Sequence, residues 1–88
     1  MEYDVVLKKK VLKGLRKLPL WVQKKLGLLV VDLKDNGPEQ PGRQNYSKLS
    51  SEEYHCHLGK SWVPCWRHRK KTIVIEVYYV GSREKAPY

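Results

Sequence analysis

The chain has 88 residues, 41% of them hydrophobic and 31% charged, which fits one small folded domain over residues 1–88 and excludes a disordered chain or a two-domain enzyme. Eighteen lysines and arginines against nine acidic residues leave a net charge of +9, which indicates a polyanionic partner, nucleic acid first and an acidic protein second. The charged start of the chain lacks the apolar stretch of a secretion signal, and apolar runs such as residues 28–31 are too short for a membrane span. We therefore expect a cytoplasmic protein without a membrane partner.

The first half of the chain predicts one strand and two helices. Residues 3–7 are short and rich in β-branched side chains, which is typical of a strand. Residues 8–17 place apolar side chains at helical spacing among lysines, which predicts a basic amphipathic helix. Pro19 ends that helix but is tolerated in the first turn of a second one, over residues 20–35, which stops before Gly37. The short connection predicts a helical hairpin whose apolar face needs a sheet to cover it.

The second half predicts three strands. A polar loop that contains glycine and proline, residues 35–45, separates the two halves. Residues 53–58 alternate between the two faces of a strand, residues 62–68 return after a turn, and residues 72–80 are almost all β-branched or aromatic. The predicted fold is therefore α+β with the element order β-α-α-β-β-β, in which the helical hairpin packs on a mainly antiparallel four-stranded sheet.

Several motifs in the second half follow one another in a characteristic order. They are Lys48-Leu49 ahead of a strand with the sequence Tyr54-His55-Cys56-His57-Leu58, then Gly59, the aromatic hairpin from Trp62 to Trp66, and a last strand that runs through Val80-Gly81-Ser82-Arg83 to Glu84-Lys85-Ala86-Pro87-Tyr88. In this order they resemble the RelE/ParE superfamily of bacterial and archaeal type II toxins, small basic proteins with the β-α-α-β-β-β plan. The tail resembles members close to HigB, and the resemblance covers nearly the whole chain.

For RelE-like members the resemblance implies an endoribonuclease, an mRNA interferase that enters the ribosomal A site and inhibits translation by cutting mRNA. The 2′-hydroxyl of the cut nucleotide attacks its own phosphate, which requires a base, an acid and stabilisation of the phosphorane but neither a metal nor another cofactor. The implied partners are the ribosome, mRNA and the acidic segment of an antitoxin. At the functional positions of the family this sequence has His55, His57, Arg83, Lys85 and Tyr88, with Arg67 as a further RNA contact.

These residue types also suit such chemistry on physical grounds. His55 and His57 are two apart on a predicted strand and share a face, and an imidazole with a pKa near 6.5 exchanges a proton at neutral pH. Arg83 follows a strand and offers a charged fork for two phosphate oxygens, with Lys85 close behind it in the chain. Tyr88 offers a ring for base stacking or a phenol that can act as an acid. RelE itself has lysines at the two histidine positions, so the sequence leaves open which histidine is the base.

Cations on the predicted helices form a second candidate surface for RNA. Attraction to phosphates makes these helices a contact for rRNA or mRNA whose affinity falls as salt rises, and the same charges attract an acidic antitoxin. The residues that we assign to RNA binding on the helices are Lys9, Lys13, Arg16 and Lys17.

Two alternative functions compete with the nuclease hypothesis. A ParE-like protein would inhibit DNA gyrase by binding alone, and a basic RNA-binding domain would share the fold without toxicity. A pure binder, however, has no need of two histidines on one strand face near Arg83, which favours the nuclease. A zinc site is disfavoured, because the two cysteines lack paired C-x-x-C spacing and Cys56 points away from its two histidine neighbours.

Overall fold

The structure, a computed structural model, describes residues 2–88 and contains two α-helices, five strands and two short 3₁₀ turns. In chain order the elements are β1 (Asp4–Leu7), α1 (Lys9–Gly14), a 3₁₀ turn (Leu15–Lys17), α2 (Leu20–Asn36), β2 (Ser47–Lys48), β3 (Glu53–His55), β4 (Trp62–His68), β5 (Val74–Ser82) and a second 3₁₀ turn (Arg83–Lys85). The strands form one sheet in the order β1-β5-β4-β3-β2, in which β1 runs parallel to β5 and the other neighbours are antiparallel. The predicted α+β class, with its helices packed on the sheet, is confirmed.

The sheet has five strands where the sequence predicts four. The additional strand, β2, is two residues long, so it has no alternation that a sequence could reveal, and it forms where Ser47 pairs with His55. The predicted strand over residues 53–58 is also shorter, because the backbone N–H of His57 leaves the ladder and donates to the Gln44 carbonyl, 2.9 Å away. The two histidines therefore lie where the sheet gives way to a loop.

Local backbone preferences set the ends of the helices. α1 stops at Gly14, a weak helix former. The 3₁₀ turn after it is followed by Leu18, which is extended (φ −80°, ψ 145°) as residues before proline usually are. α2 ends at Gly37, whose φ of +90° suits glycine and whose Cβ, if present, would lie 2.9 Å from the Tyr3 ring. No helix within residues 2–88 combines the length and the apolar character that crossing a lipid bilayer requires.

α2 covers one face of the sheet and closes the core. Its buried side chains are Val22, Leu26, Leu29 and Leu33, and the sheet and the residues that follow β3 contribute Tyr54, Cys56, Leu58, Trp66, Ile75 and Val77. Trp66 is fully buried, stacks on Tyr54 with ring centroids 6.1 Å apart, and donates from Nε1 to the Pro38 carbonyl at 2.9 Å. This one side chain therefore ties the middle of the sheet to the loop that follows α2.

The opposite face of the sheet carries the polar and titratable side chains. Alternation along the strands places His55, Arg67 and Glu76 there, because their neighbours in the chain point into the core. The register between β4 and β5 skips Tyr78, which forms a β-bulge and lies against Arg67 on this same side. We call this surface, which contains His55, Arg67, Glu76 and Tyr78, the open face.

Candidate active site

Two histidines and a tyrosine meet at one end of the open face. β3 ends at His55, and His57 remains on the same side of the chain, so that the two ring centroids are 5.7 Å apart. The Tyr88 ring lies 4.5 Å from the His55 ring, with the two planes tilted by 50°. The structure therefore brings together three of the five residues that the sequence nominates for catalysis.

Ser47 holds His55 in place. The residues are direct partners in the β2–β3 ladder, and Ser47 Oγ lies 3.1 Å from His55 Nδ1. Because His55 is only 7% exposed, this hydroxyl fixes the orientation of a buried ring and leaves Nε2 as the nitrogen available to other groups. Sequence reasoning missed Ser47, since nothing in a two-residue strand shows which side chain it will face.

The surroundings of His57 favour a neutral ring. Partial burial lowers the pKa of His57 below its ordinary value of 6.5, and the neighbouring His55 and Arg83 lower it further. A neutral imidazole can accept a proton at neutral pH, which is what a general base must do. His57 is also more exposed than His55, so it is the histidine that a ligand reaches more easily.

The end of β5 delivers Arg83 to the same region. Its backbone N–H donates to the Ser61 carbonyl at 2.8 Å, which ties the second 3₁₀ turn to the β3–β4 loop while the residue stays exposed. Burial raises the pKa of Tyr88 above its ordinary value of 10.0, although the charge of Arg83 opposes the rise. The phenol of Tyr88 is therefore protonated at neutral pH and has a proton to donate.

Known structures share the architecture that carries this cluster. No protein-family model matches the sequence, and no curated protein is similar to it at a significant level. The chain matches a mutant of the E. coli toxin RelE in the free state with a TM-score of 0.77 and 22% identity, over 98% of this chain and 88% of that chain. It also matches a chain of the archaeal RelE–RelB complex from Pyrococcus horikoshii (TM-score 0.76, 20% identity, 98% of this chain and 100% of that chain). A third match is the isolated E. coli RelE toxin (TM-score 0.73, 20% identity, 97% of this chain and 88% of that chain).

The chain has a RelE-like fold. At 20–22% identity this likeness concerns the course of the backbone, and the chemistry of the site rests on the side chains of this chain.

A cleft of about 290 Å³ lies beside His57 in this RelE-like chain. Lys25 of α2 and two residues of the following loop, Arg43 and Gln44, form its polar walls. Arg43 is oriented by an ion pair with Asp32 of α2. Lys25 and Arg43 therefore belong to the site, although their positions in the sequence do not show it. Only the packing of α2 and its loop against the end of β3 brings them to His57.

A second cleft, of about 380 Å³, surrounds Arg83 and is also lined by Lys60, Ser61 and Glu84. Lys85 is exposed at the end of the same 3₁₀ turn, outside the group of three rings. The tail of the RelE-like sheet thus presents Arg83 and Lys85 to solvent, and the charge of Arg83 reaches His57, whose pKa it lowers.

The other predicted RNA contacts lie outside the ring cluster. The four cations on α1 and the first 3₁₀ turn are all exposed; they are Lys9, Lys13, Arg16 and Lys17. Arg67 lies on the open face, where its Nε is 3.5 Å from Glu76 and its guanidinium stacks 4.3 Å from the centre of the Tyr78 ring. Arg67 is therefore engaged with its neighbours, in contrast to Arg83.

The two cysteines are buried, protonated thiols. Burial raises the pKa of Cys56 to about 11 and that of Cys65 to about 12, and neither forms a disulfide. A cysteine must be deprotonated to a thiolate to bind a metal ion, so these two thiols are poor candidates for metal ligands. Across residues 2–88, no three histidine, cysteine, aspartate or glutamate side chains are grouped closely enough to hold a metal ion.

Proposed function

We propose that this protein is the toxin of a type II toxin–antitoxin system and an endoribonuclease that cuts mRNA in the ribosomal A site. The observation that carries the proposal is the contact of His55 with both His57 and Tyr88 at the end of a RelE-like sheet. Two imidazoles and a phenol can accept and donate protons, which a protein that acts by binding alone, such as a gyrase inhibitor, does not require.

In the proposed reaction His57 is the general base. It removes the proton from a 2′-hydroxyl of the RNA, and the oxygen attacks the adjacent phosphorus. The bond from phosphorus to the 5′-oxygen of the next nucleotide then breaks, which leaves a 2′,3′-cyclic phosphate on one fragment and, after protonation, a 5′-hydroxyl on the other. The lowered pKa of His57 supports this role, because a protonated ring could not accept the proton.

The remaining roles fall to the other residues of the site. We assign to the exposed guanidinium of Arg83, assisted by Lys85, the role of stabilising the negative charge of the phosphorane. Tyr88 has a protonated phenol for the leaving 5′-oxygen, and the residue is 55% exposed, so its ring can stack on a base. His55, oriented by Ser47, supports the other two rings. No step in this scheme calls for a metal ion or another cofactor.

The proposed partners follow from the charge of the chain. A net charge of +9 on 88 residues attracts the ribosome and mRNA, and it equally attracts the acidic segment of a cognate antitoxin. The similar archaeal RelE is found in a complex with RelB, which supports an antitoxin partner here. A nuclease of ribosome-bound mRNA acts in the cytoplasm.

Primer extension in a purified translation system tests the proposed function. The protein should produce new stops within the codon at the ribosomal A site, and none on the same mRNA without ribosomes. Stops on naked RNA alone would indicate a general ribonuclease. If the folded protein produces no stops with ribosomes present, the nuclease proposal is wrong and a binding function takes its place.

Replacing Ser47 by alanine tests the positioning of His55. The variant loses one hydrogen bond, which corresponds to about a two- to tenfold lower single-turnover cleavage rate. Ser47→Thr retains a hydroxyl and should recover most of the rate. The ¹⁵N chemical shifts of His55 report its tautomer, which should become mixed in Ser47→Ala and stay single in Ser47→Thr. An unchanged tautomer together with an unchanged rate would show that Ser47 does not position the ring.

Reversing two charges on α1 tests the helical RNA surface. Lys9→Glu combined with Lys13→Glu should weaken ribosome binding and reduce the slope of log affinity against log salt by about 1.5, as expected for two lost phosphate contacts. Lys34→Glu with Lys70→Glu makes the same change in net charge elsewhere on the surface and serves as the control. If both pairs of changes reduce the slope equally, the effect comes from overall charge and α1 is not the contact.

A further inference from the structure

The open face carries a second polar group of side chains, away from the ring cluster. Tyr78 donates its hydroxyl to Glu53 at 2.9 Å, and the Arg67 guanidinium lies 4.3 Å above the Tyr78 ring. Arg67 Nε is also 3.5 Å from Glu76 Oε1. Two carboxylates, an arginine and a tyrosine thus form one connected network across β3, β4 and β5.

This network leaves hydrogen-bonding capacity unused. The contact of 3.5 Å between Arg67 and Glu76 is longer than the roughly 2.7–2.9 Å of a good charge-assisted hydrogen bond. Within residues 2–88, Arg67 Nε is the one buried side-chain polar atom without a hydrogen-bond partner. Such an atom in a folded protein calls for an explanation. A ligand that binds here and rearranges the Arg67–Glu76 pair would provide that explanation. The Glu76 carboxylate therefore remains able to accept hydrogen bonds from a bound molecule.

A cleft of about 270 Å³ opens at this pair, lined by Val6, Arg67, Arg69, Thr72, Val74 and Glu76. Its apolar walls are unusually accessible, since Val6 is 47% and Val74 is 43% exposed. The volume lies below the roughly 300–1,000 Å³ of sites for drug-sized ligands, so it suits one planar ring system.

The cleft combines charged groups of both signs with apolar side chains. Arg67 and Arg69 line it together with Glu76, so an occupant meets guanidinium donors and one carboxylate acceptor in the same cleft. A fitting occupant has flat apolar faces for the valines, N–H donors for the carboxylate and acceptors for the arginines. A nucleobase has all three, and single-stranded RNA is commonly read by splaying bases into such pockets.

We propose that this cleft is a base-reading subsite for guanine in the RNA substrate, with Glu76 as the residue that determines specificity. The proposal rests on the proposed nuclease function. The pairing edge of guanine has two adjacent N–H donors, at N1 and N2, which match the two oxygens of one carboxylate. Adenine and cytosine each place a ring acceptor beside a single amino group, and uracil has one N–H between two carbonyls. The guanine O6 and N7 are acceptors that arginine can contact.

The location of the cleft fits an RNA strand that also reaches the histidines. Glu53 lies on β3, two residues before His55, and pairs with Arg67 on β4. Arg67 in turn pairs with Glu76 on β5. Standard strand spacing puts the Cα atoms of His55 and Glu76 about 12 Å apart on one face. A short stretch of extended RNA spans such a distance, so a guanine in the cleft would fix the register of the strand relative to His57.

Titration with mononucleotides tests this subsite without ribosomes and without cleavage. In ¹H–¹⁵N NMR spectra of the full chain, 5′-GMP should shift the amides of Val6, Thr72, Val74 and Glu76, with an affinity at least about tenfold higher than that of 5′-AMP, 5′-CMP or 5′-UMP. Glu76→Gln should remove this preference, because one carboxylate oxygen becomes a donor. Glu39→Gln, an exposed acidic position in the loop after α2, is the matched control and should keep it.

A second variant keeps the test decisive if Glu76→Gln perturbs the fold. Arg69 is exposed and lines the cleft, so Arg69→Ala should weaken 5′-GMP binding without disturbing the other amides. Equal binding of all four nucleotides, or shifts confined to residues around His57, would overturn the proposal. So would binding of an arginine-rich peptide at these amides in preference to 5′-GMP, which would identify the network as a docking site for a basic protein.

The two functions fail in distinguishable ways. If 5′-GMP binds with the stated preference but primer extension shows no cleavage, the subsite stands and the nuclease proposal is wrong. If cleavage occurs but Glu76→Gln and wild type bind all nucleotides alike, the nuclease stands and the guanine subsite is wrong. When both hold, Glu76→Gln should lower cleavage of mRNAs that have a guanine at one position of the A-site codon and leave mRNAs with adenine there unaffected.

Discussion

Replacing His57 by alanine is expected to lower the rate of ribosome-dependent cleavage by about 10²–10⁴-fold, the usual contribution of a general base. The ring is the more exposed of the two histidines, and its lowered pKa keeps it in the proton-accepting form. Single-turnover primer extension at saturating protein measures the rate. Ribosome affinity should stay close to that of wild type, because the variant removes no formal charge at neutral pH.

A matched control for this variant is His68→Ala. His68 lies outside the ring cluster, where its Nε2 is 2.8 Å from the Thr72 carbonyl, so its loss should leave the cleavage rate within a few-fold of wild type. Cleavage by His57→Ala at the wild-type rate would remove this residue from the mechanism and make His55 the candidate base. Equal losses in both variants would point to damage to the fold.

The pH dependence of kcat/KM gives an independent measurement of the same group. Because the pKa of His57 is lowered, its ring stays neutral to more acidic pH than an ordinary histidine. The rate should therefore be constant around neutrality and fall only as pH drops through a value below 6.5. This acidic limb should disappear in His57→Ala. A limb centred at or above pH 6.5 in the wild type would contradict the assigned environment of the ring.

Replacing Trp66 by alanine is expected to have the largest effect on stability, a loss of about 3–5 kcal/mol in the free energy of unfolding. Trp66 is fully buried, stacks on Tyr54 and donates a hydrogen bond to the Pro38 carbonyl, so the change leaves a cavity and an unpaired carbonyl. A domain of this length has a total stability of roughly 4–13 kcal/mol, so the loss is a large part of the total and leaves the variant largely unfolded only at the lower end of that range. Urea denaturation followed by circular dichroism measures the difference.

Trp66→Phe separates the ring from the hydrogen bond. It retains most of the packing against Tyr54 but leaves the Pro38 carbonyl without its donor, which should cost about 1–3 kcal/mol. A loss below about 1 kcal/mol in Trp66→Ala would mean that the core does not depend on this side chain. Since the loop after α2 also carries Arg43, both variants should loosen the cleft beside His57.

The order of the main elements could be read from the sequence because each has its own hydrophobic period. The alternation over residues 53–58 and the β-branched run that becomes β5 both predict strands, and Pro19 predicts the break between the helices. β2 escaped prediction because two residues have no period. Its existence depends on the loop before it, which brings Ser47 opposite His55.

The histidine pair of the candidate site could be predicted from spacing along the chain, and Tyr88 from the resemblance of the tail. The two-residue spacing of His55 and His57 predicts a shared face, and although His57 lies just beyond the end of β3, the structure places the two rings 5.7 Å apart. Lys25 and Arg43 could not be found in this way, since they reach His57 through packing between distant segments. The engagement of Arg67 depends on the bulge at Tyr78, which an alternating pattern cannot show.

The parallel pairing of β1 with β5 also affects when the protein becomes active. β1 (Asp4–Leu7) and β5 (Val74–Ser82) are separated by all the other elements of the sheet, so the sheet cannot close around β5 until the residues from β1 to β5 have all been synthesised. Arg83 and Tyr88 follow β5 and emerge later still. For a protein proposed to cut mRNA on ribosomes, this order of synthesis means that a nascent chain has no complete active site. If the proposed function holds, a partly synthesised chain would therefore not cut the mRNA on the ribosome that is still producing it.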